Sequence, residues 1–248
     1  EGVAVNCRDI TERKLAEESL RESREHYRHA AESNRRLLTE VNHRVRNNLA
    51  GLLSLVRMTS RNVMTVEEFA DAMKQRIAAM SQVHNMLAQS SWDDLKLRQM
   101  IQSLSHAAAH EHSQTTTLTL DGPSIAITPQ QATPLAMTLS ELFNNSTKHG
   151  ARSRPKGQIT ITWQISTDQA DQHHLELNWK EAGGPRIQYP IRRSLGTQLI
   201  EGFVRFELAG ECELNFETRG VNHQISIPIQ STQVVDEQEP DMSGPLRT

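Results

Sequence analysis

Cysteine and aromatic residues are both scarce in this sequence, and each shortage narrows the class of protein it encodes. Only two cysteines, Cys7 and Cys212, occur among 248 residues, and they form neither a metal-ligand spacing nor a disulfide framework. This usage fits a reducing compartment, so we expect a cytoplasmic location. Aromatic residues make up only 4% of the chain, which favours helices packed with leucine, methionine and alanine over an aromatic-rich β-sandwich.

The chain also lacks a surplus of positive charge and a long apolar run. Its formal net charge is -3, whereas a DNA-binding protein usually carries a basic surplus or patch, so we expect no nucleic-acid partner. No apolar stretch approaches the roughly 20 residues of a membrane helix, and we expect no membrane segment in this sequence. The chain opens without methionine, and residues 1–9 have the pattern of the last strand of a preceding domain.

Residues 10–62 form a long, charged, helical pattern that contains no proline and a single glycine, Gly51. Thr65 and Glu68 then make a capping box, which predicts a second helix from Val66 to about Ala88. We therefore expect a signalling helix and an antiparallel helical hairpin over residues 10–90. A plain dimerising coiled coil is the alternative, and it would explain the apolar stripe equally well.

His43 lies on the polar side of the first predicted helix. At about 100° per residue, His43 falls about 160° from the centre of the apolar stripe, next to Asn47. An outward histidine is accessible to another domain and titrates near neutral pH, which makes it a candidate reactive group. The alternative is an ordinary surface histidine. The stripe residues, which cluster within roughly 80°, are Leu38, Val41, Val45, Leu49, Leu52 and Val56.

Residues 91–230 mix strand and helix patterns and predict an α+β sandwich domain. A turn at Asp121-Gly122 separates two short predicted strands, and a turn at Arg219-Gly220 separates the last two. The tail, residues 231–248, is acidic with proline and glycine, and we expect it to be disordered. Helices are predicted over 97–110, 128–149 and 196–210, and strands over 115–120, 124–127, 158–166, 173–180, 211–217 and 222–229.

The predicted helix 128–149 carries polar side chains along one face. Glu141, Asn145 and Lys148 are spaced i, i+4 and i+7, so they share that face. A carboxylate, an amide oxygen and an ammonium suit a hydrated magnesium ion with phosphates, because magnesium prefers hard oxygen ligands and lysine neutralises phosphate. The alternative is a solvated helix face.

Two later segments complete a predicted nucleotide cradle. Glu181 stands at a strand end before Gly183 and Gly184; its carboxylate can accept a hydrogen bond from an adenine amino group, and glycines let the backbone approach a ligand. The alternative is an ordinary glycine-rich turn. Downstream, Arg192 and Arg193 precede a helix start at 194–197, where backbone N–H groups make an anion site.

Four segments together resemble sensor histidine kinases of the HWE type and their near relatives. EVNHRVRNNLAGLLSL resembles the phosphoacceptor box, LSELFNNSTKHGA the asparagine box, WKEAGGP the W-x-E-x-G-G-P signature, and SLGTQLIE the second glycine box. The resemblance covers about residues 39–228 with matched order and spacing. In addition, RDITERKLAEESL resembles the exit of a PAS sensor domain into a signalling helix.

The resemblance implies a fold, a reaction and partners. The fold is a helical hairpin for dimerisation and phosphotransfer, followed by an ATP-binding α/β sandwich. His43 would accept a phosphoryl group from magnesium-ATP, with Glu141 assisting, and pass it to the receiver domain of a response regulator; the hairpin would form a homodimer. Glu141 and Asn145 would serve the metal, and Glu181 would read adenine. The implied cofactor-binding residues are Asn145, Lys148, His149, Glu181, Gly183, Gly184, Arg193, Gly196 and Thr197.

The sequence also departs from the family pattern. Ser140 replaces a histidine, Ser146 replaces the usual alanine of the asparagine box, and Ser194 replaces a glycine. Two alternatives therefore stand beside the kinase. One is a degenerate scaffold of the same fold that signals without useful ATP binding. The other is a protein serine kinase or ATPase of the same fold, in which His43 is structural.

Overall fold

A computed structural model describes most of the second half of the chain and parts of the first. The chain divides into two compact units, 1–55 and 56–248. The domain boundaries expected from sequence, at 9/10, 90/91 and 230/231, stay predictions. The described residues are 13–21, 23–28, 35, 53, 56, 65–90, 93–108, 116–189 and 194–230.

The described part of the first unit is an exposed, charged helix over 13–21 and 23–28. The side chain of Arg13 binds Glu17 at 3.2 Å, and that of Arg21 binds Glu25 at 3.3 Å. Such i, i+4 pairs stabilise a helix by a few tenths of a kcal/mol each. His43 lies outside the described residues, so the pairing of the two hairpin helices stays a prediction.

Helix α1 (Val66–Gln89) confirms the second predicted helix. The carbonyl of Thr65 accepts from the Phe69 N–H at 3.0 Å; the side chain of Glu68, the other half of the predicted capping box, is not among those described. The helical spacing of Phe69, Met73, Ile77, Met80, Val83 and Leu87 predicts one apolar stripe on this helix, yet Ile77 is 48% exposed, whereas Arg76 is buried. The helix is therefore rotated slightly from the predicted orientation. Its buried residues are Arg76, Ala79, Met80, Val83 and Leu87.

Three further helices follow. Helix α2 spans Leu97–Ala107, α3 spans Pro129–His149 and α4 spans Leu195–Gly202. The Thr128 hydroxyl caps α3 by accepting the Gln131 N–H at 3.4 Å, and threonine is among the residues preferred at this position. The helix expected to run to residue 210 instead changes to a π-helical segment, Phe203–Glu207, after α4. There the bonds span five residues, as in Leu208 N–H to the Phe203 carbonyl at 3.0 Å.

The strands in the described residues are β1 (Leu95–Lys96), β2 (Thr117–Asp121), β3 (Ala126–Ile127), β4 (Gln158–Thr167), β5 (His173–Ala182), β6 (Glu211–Glu217) and β7 (Gly220–Ile229). Five of them form the main sheet, in the order β2-β4-β5-β7-β6, and a two-stranded sheet joins β1 to β3. The turn predicted at Arg219-Gly220 joins the antiparallel strands β6 and β7, and β4 and β5 form a second antiparallel pair.

The turn predicted at Asp121-Gly122 separates β2 from β3 as expected, but these two strands do not pair with each other. Strand β2 pairs in parallel with β4, and β3 pairs with β1 instead. The turn residue has another partner. A β-carbon at Gly122 would lie 2.6 Å from the ring of Trp163, so the glycine, at φ +153°, lets the indole pack directly on the backbone.

One face of the sheet packs against the helices, and the other is open and polar. Strand β5 shows the alternation: Leu175, Leu177, Trp179 and Glu181 are buried, and the residues between them face outward. None of the helices in the described ranges combines the length and the apolar character needed to cross a membrane. The side chains discussed below lie on the helix-covered side of the sheet or at its end.

Candidate functional site

The end of strand β5 carries the tryptophan and glutamate of the W-x-E signature. Trp179 is fully buried and packs edge-on against Phe143 of α3, with ring centroids 4.7 Å apart. Its indole Nε1 donates a hydrogen bond to Oε1 of Glu181 at 2.8 Å. Alternation along a strand places residues i and i+2 on the same face, which is why these two side chains meet. Trp179 thus orients the Glu181 carboxylate.

The second oxygen of Glu181 binds the C-terminal end of α3. Its Oε2 accepts from the Ser146 hydroxyl at 2.9 Å and from the Ala151 N–H at 2.6 Å. Burial raises the pKa of the Glu181 carboxyl, while the hydrogen bonds and the charge of Arg152 oppose that rise. The carboxylate thus accepts three hydrogen bonds from its own chain, and each of its oxygens is in use at least once.

Glycines around this carboxylate allow close approach within the chain itself. A β-carbon at Gly150 would collide with Oε2 of Glu181, and one at Gly184 would lie 2.8 Å from the carbonyl carbon of Gly150. Gly183 adopts φ +78°, a left-handed conformation that favours glycine. Gly184 therefore lets the end of the strand lie against the peptide between Gly150 and Ala151, while Gly183 lies against Lys156 and Gly157. Their predicted role in ligand approach stays a prediction.

Arg152 extends this network beneath α3. Its guanidinium lies 4.5 Å from the ring centroid of Phe143 and donates to the carbonyl of Ser105 at 3.0 Å and to the Ser105 hydroxyl. Burial lowers the pKa of Arg152, and the nearby negative charge of Glu181 partly offsets that effect. Arg152 therefore supplies positive charge close to Glu181 from a position that is only 5% exposed.

Glu141 is buried in the middle of α3 and is held by a residue of α1. Its Oε1 accepts from Nε of Arg76 at 2.8 Å, and the two side chains are 8% and 6% exposed. Buried charges are stable only when paired, so this contact ties α1 to α3 at that point. Sequence reasoning missed Arg76. The sequence did carry a signal, because Arg76 directly precedes Ile77 of the apolar stripe on α1. A small rotation of the helix is enough to turn such a neighbour inward.

The other oxygen of Glu141 faces the start of α4. A β-carbon built at Gly196 would lie 3.1 Å from Glu141 Oε2 and 3.1 Å from Asn145 Oδ1, so both oxygens converge where glycine leaves space. Two oxygen donors fit magnesium, which completes its shell with water and phosphate. Groups of three or more His, Cys, Asp or Glu that could hold a metal are absent from the described residues.

The remaining predicted residues of α3 and α4 are more exposed. Lys148 donates to Gln75 of α1 at 3.4 Å, and His149 is exposed at the helix end. The Ser194 hydroxyl caps α4 by accepting the Thr197 N–H at 3.2 Å, so the serine that replaces a glycine stabilises the helix start. Gly196 and Thr197 stay predicted cofactor-binding residues, but the Thr197 N–H is already bonded to Ser194 within the chain.

The structure brings part of the predicted site together. Glu141, Asn145 and Gly196 form one cluster; Glu181, with its glycines, ends the neighbouring strand. His43 and Arg193 lie outside the described residues. Besides Arg76, the sequence reasoning missed the buried position of Arg152 close to Glu181, for which no local pattern gives a signal.

Comparison with known proteins shows that the chain is similar to histidine kinases. Residues 40–124 match the family model described as HWE histidine kinase. The blue-light-activated histidine kinase of Brucella ovis is 29% identical over 203 residues, and that of Brucella anthropi is 27% identical over 203 residues. Each match covers 82% of this chain and 41% of the relative, so the chain spans about two-fifths of the length of these curated relatives.

Solved structures give the same answer for the fold. The histidine kinase domain of the Erythrobacter litoralis EL346 blue-light activated histidine kinase matches with a TM-score of 0.53 and 21% identity, covering 82% of this chain and 96% of that one. A longer chain of the same kinase gives a TM-score of 0.55 and 18% identity, covering 78% and 59%. Residues 40–124 are therefore similar to HWE histidine kinases, and the described part of the chain has the fold of a histidine kinase domain.

Proposed function

We propose that this chain is the kinase part of a sensor histidine kinase, which phosphorylates His43 from magnesium-ATP. The observation that supports this most directly is the convergence of Glu141 Oε2 and Asn145 Oδ1 at Gly196, the meeting point of two family boxes. The match to the HWE family covers His43 as well. Fold and boxes thus support one function, although the chain is only part of the length of its relatives.

The residues of the cluster bind and orient the triphosphate in this proposal. Glu141 and Asn145 hold the metal through oxygen atoms, and Lys148 neutralises phosphate from the next turn of α3. Magnesium, when bound, screens the negative charge of the phosphates. The start of α4 directs N–H groups towards the same anion. Glu181 accepts the adenine amino group through the lone pair that its Oε1 retains beside the bond from Trp179.

His43 supplies the nucleophile. A neutral ring nitrogen attacks the γ-phosphorus of ATP in line, a phosphorus–nitrogen bond forms, and ADP leaves. Such transfer depends on positioning and charge neutralisation more than on covalent chemistry by other side chains. The phosphoryl group then moves to an aspartate on the receiver domain of a response regulator. In this proposal the second half of the chain binds ATP, and the helical half supplies the reacting histidine.

Labelling with radioactive ATP and magnesium tests the proposal. We expect label on the wild-type chain that survives base and is released by acid, as a phosphoramidate is. His43→Gln should take up no label and still bind ATP. Label that persists on His43→Gln contradicts the assignment, and label that survives acid points to the serine kinase alternative.

One observation favours the scaffold as a second candidate. Arg76 already occupies one oxygen of Glu141, so the carboxylate is partly neutralised within the chain. A scaffold would bind no ATP at all, with magnesium or without it. Calorimetric titration of ATP into the wild-type chain separates the two candidates, because the kinase requires saturable binding.

Assembly and location remain part of the proposal. The apolar stripe of the first predicted helix should pair with a second copy, giving a homodimer, and the composition fits the cytoplasm. Light scattering at micromolar concentration is the test of assembly. A monomer mass would refute the homodimer and leave the kinase proposal intact.

A further inference from the structure

Arg76 brings a positive charge into contact with a predicted metal ligand. It lies on α1, 65 residues before Glu141, and the bond from its Nε to Glu141 Oε1 is 2.8 Å. Both residues are buried, at 5% and 6% exposure. At this depth the effective dielectric constant is lower than that of water, so charges near the carboxylate interact strongly.

The same carboxylate has its second oxygen at the predicted metal position. Glu141 Oε2 converges with Asn145 Oδ1 at Gly196, and Oε1 is bound to the guanidinium. A divalent cation at that point would therefore share the Glu141 carboxylate with the guanidinium of Arg76, each cation on one oxygen. Like charges at this separation repel, so the two cations cannot both interact with Glu141 at full strength.

Arg76 reaches Glu141 only because α1 packs along α3. The contact between Gln75 and Lys148 at 3.4 Å lies beside the ion pair, and Val83 and Leu87 join the hydrophobic core further along α1. The Arg76–Glu141 ion pair thus lies where the part of α1 that packs on α3 comes closest to the cluster of Glu141, Asn145 and Gly196. Movement of this part of α1 would remove the guanidinium and leave Glu141 to another cation.

We propose that Arg76 competes with magnesium for Glu141, so that docking of the middle of α1 on α3 and loading of the nucleotide site oppose each other. The inference rests on the proposed function, since it concerns the metal of that site. Coupling between two sites is reciprocal: if docked α1 weakens metal binding, bound metal weakens the docking of α1 by the same factor. Arg76 would then link the helical half of the chain to the state of its nucleotide site.

Metal binding by charge variants of the full chain tests the competition. Mn²⁺ is the probe, and its free concentration is followed by electron paramagnetic resonance with and without a non-hydrolysable ATP analogue. Arg76→Gln removes the charge and should tighten Mn²⁺ binding about five- to 150-fold, the usual range of coupling between sites. Arg76→Lys keeps the charge and should stay close to wild type. Lys74→Gln, which removes a positive charge from the exposed side of α1, should bind Mn²⁺ as wild type does.

Hydrogen exchange on the wild-type chain gives a readout that needs no variant to fold. With Mn²⁺ and the analogue bound, amides near Arg76 in α1 should exchange faster than in the unliganded chain, while α2 serves as the internal reference. Unchanged or weaker Mn²⁺ binding by Arg76→Gln overturns the competition, and so does unchanged exchange in α1. If wild type and the Arg76 variants bind the analogue with Mn²⁺ equally well, this inference alone is rejected. If no variant binds the analogue, the proposed function is rejected as well.

Discussion

Trp179 and Glu181 are joined by a hydrogen bond of 2.8 Å, from the indole Nε1 to the carboxylate Oε1, across the two-residue repeat of strand β5. The bond explains physically why a tryptophan stands two residues before the glutamate in the W-x-E signature. Trp179 is fully buried, so it acts on a ligand only through the glutamate that it orients. The signature is therefore a local device in which one side chain fixes the next on the same face of the sheet.

Replacing Trp179 with phenylalanine should test this device. Phenylalanine keeps an aromatic ring beside Phe143 but removes the donor to a buried carboxylate and leaves a small cavity. We expect a loss of about 2–4 kcal/mol in the free energy of unfolding, from the lost charged hydrogen bond together with the lost packing. Urea denaturation measures this loss, and ATP binding should weaken in parallel.

Trp163→Phe is the matched control. Trp163 is also buried, and its Nε1 donates to the neutral carbonyl of Pro123 at 2.7 Å. The volume change is identical, so the control should lose stability but keep its ATP affinity. Equal effects of the two substitutions on ATP affinity would show that the bond to Glu181 has no special role.

Glu181→Ala should separate adenine recognition from structural support. The substitution removes the acceptor of three hydrogen bonds, so it destabilises the end of β5. This structural effect should lower the affinity for ATP and for GTP equally. If Glu181 also accepts the adenine amino group, ATP binding should weaken about five- to 150-fold more than GTP binding, the cost of one unpaired buried donor. Calorimetric titration of both nucleotides into wild type and variant measures the ratio. A ratio that does not change removes Glu181 as the adenine reader.

Gly196→Ala should block the predicted metal position without harming the helix. The new β-carbon would lie 3.1 Å from both Glu141 Oε2 and Asn145 Oδ1, which fills the space between these oxygens. Alanine favours a helix over glycine by up to about 1 kcal/mol, so the free energy of unfolding should not fall. We expect magnesium-dependent ATP binding to fall at least about tenfold, equivalent to about 1.4 kcal/mol. Gln198→Ala, at an exposed position of the same helix, should bind as wild type does.

His223 should make stability depend on pH. Burial lowers the pKa of this histidine from 6.5 to about 4. Between these values the unfolded chain binds more protons than the folded one, so stability is fully present above pH 6.5 and is lost as the pH falls towards 4. The full loss is about 3 kcal/mol, at about 1.36 kcal/mol per pKa unit.

The measurement is urea denaturation from pH 7 to pH 4 of wild type and His223→Leu. The variant places an apolar side chain without a titratable group beside Phe216, whose ring centroid lies 5.1 Å from that of His223. Glu181 acts in the opposite direction, since its raised pKa reduces stability as the pH rises, but it is common to both chains and cancels in the difference. Parallel pH profiles of the two chains would exclude His223 as the source.

The sequence by itself determined the elements whose signals are local. Helix α3 begins after Thr128 and ends before Gly150 as predicted, because a capping hydroxyl, a proline at the first turn and a terminal glycine act within a few residues. The β6–β7 hairpin was predictable for the same reason, since its turn and its alternating strands are contiguous. The four family boxes were also visible as short segments, and they predicted the relatives that the comparisons found.

Only the tertiary structure decided which distant residues meet. The turn signal at Asp121-Gly122 placed the break between β2 and β3, but it could not show that β2 pairs in parallel with β4, a strand more than thirty residues away. Arg76 and Glu141 each have an ordinary local context, and their ion pair exists because α1 packs on α3 across 65 residues of chain. Charge pairing and close packing at such separations depend on how the elements are arranged in space, and the periodicity of a single helix or strand carries no information about that arrangement.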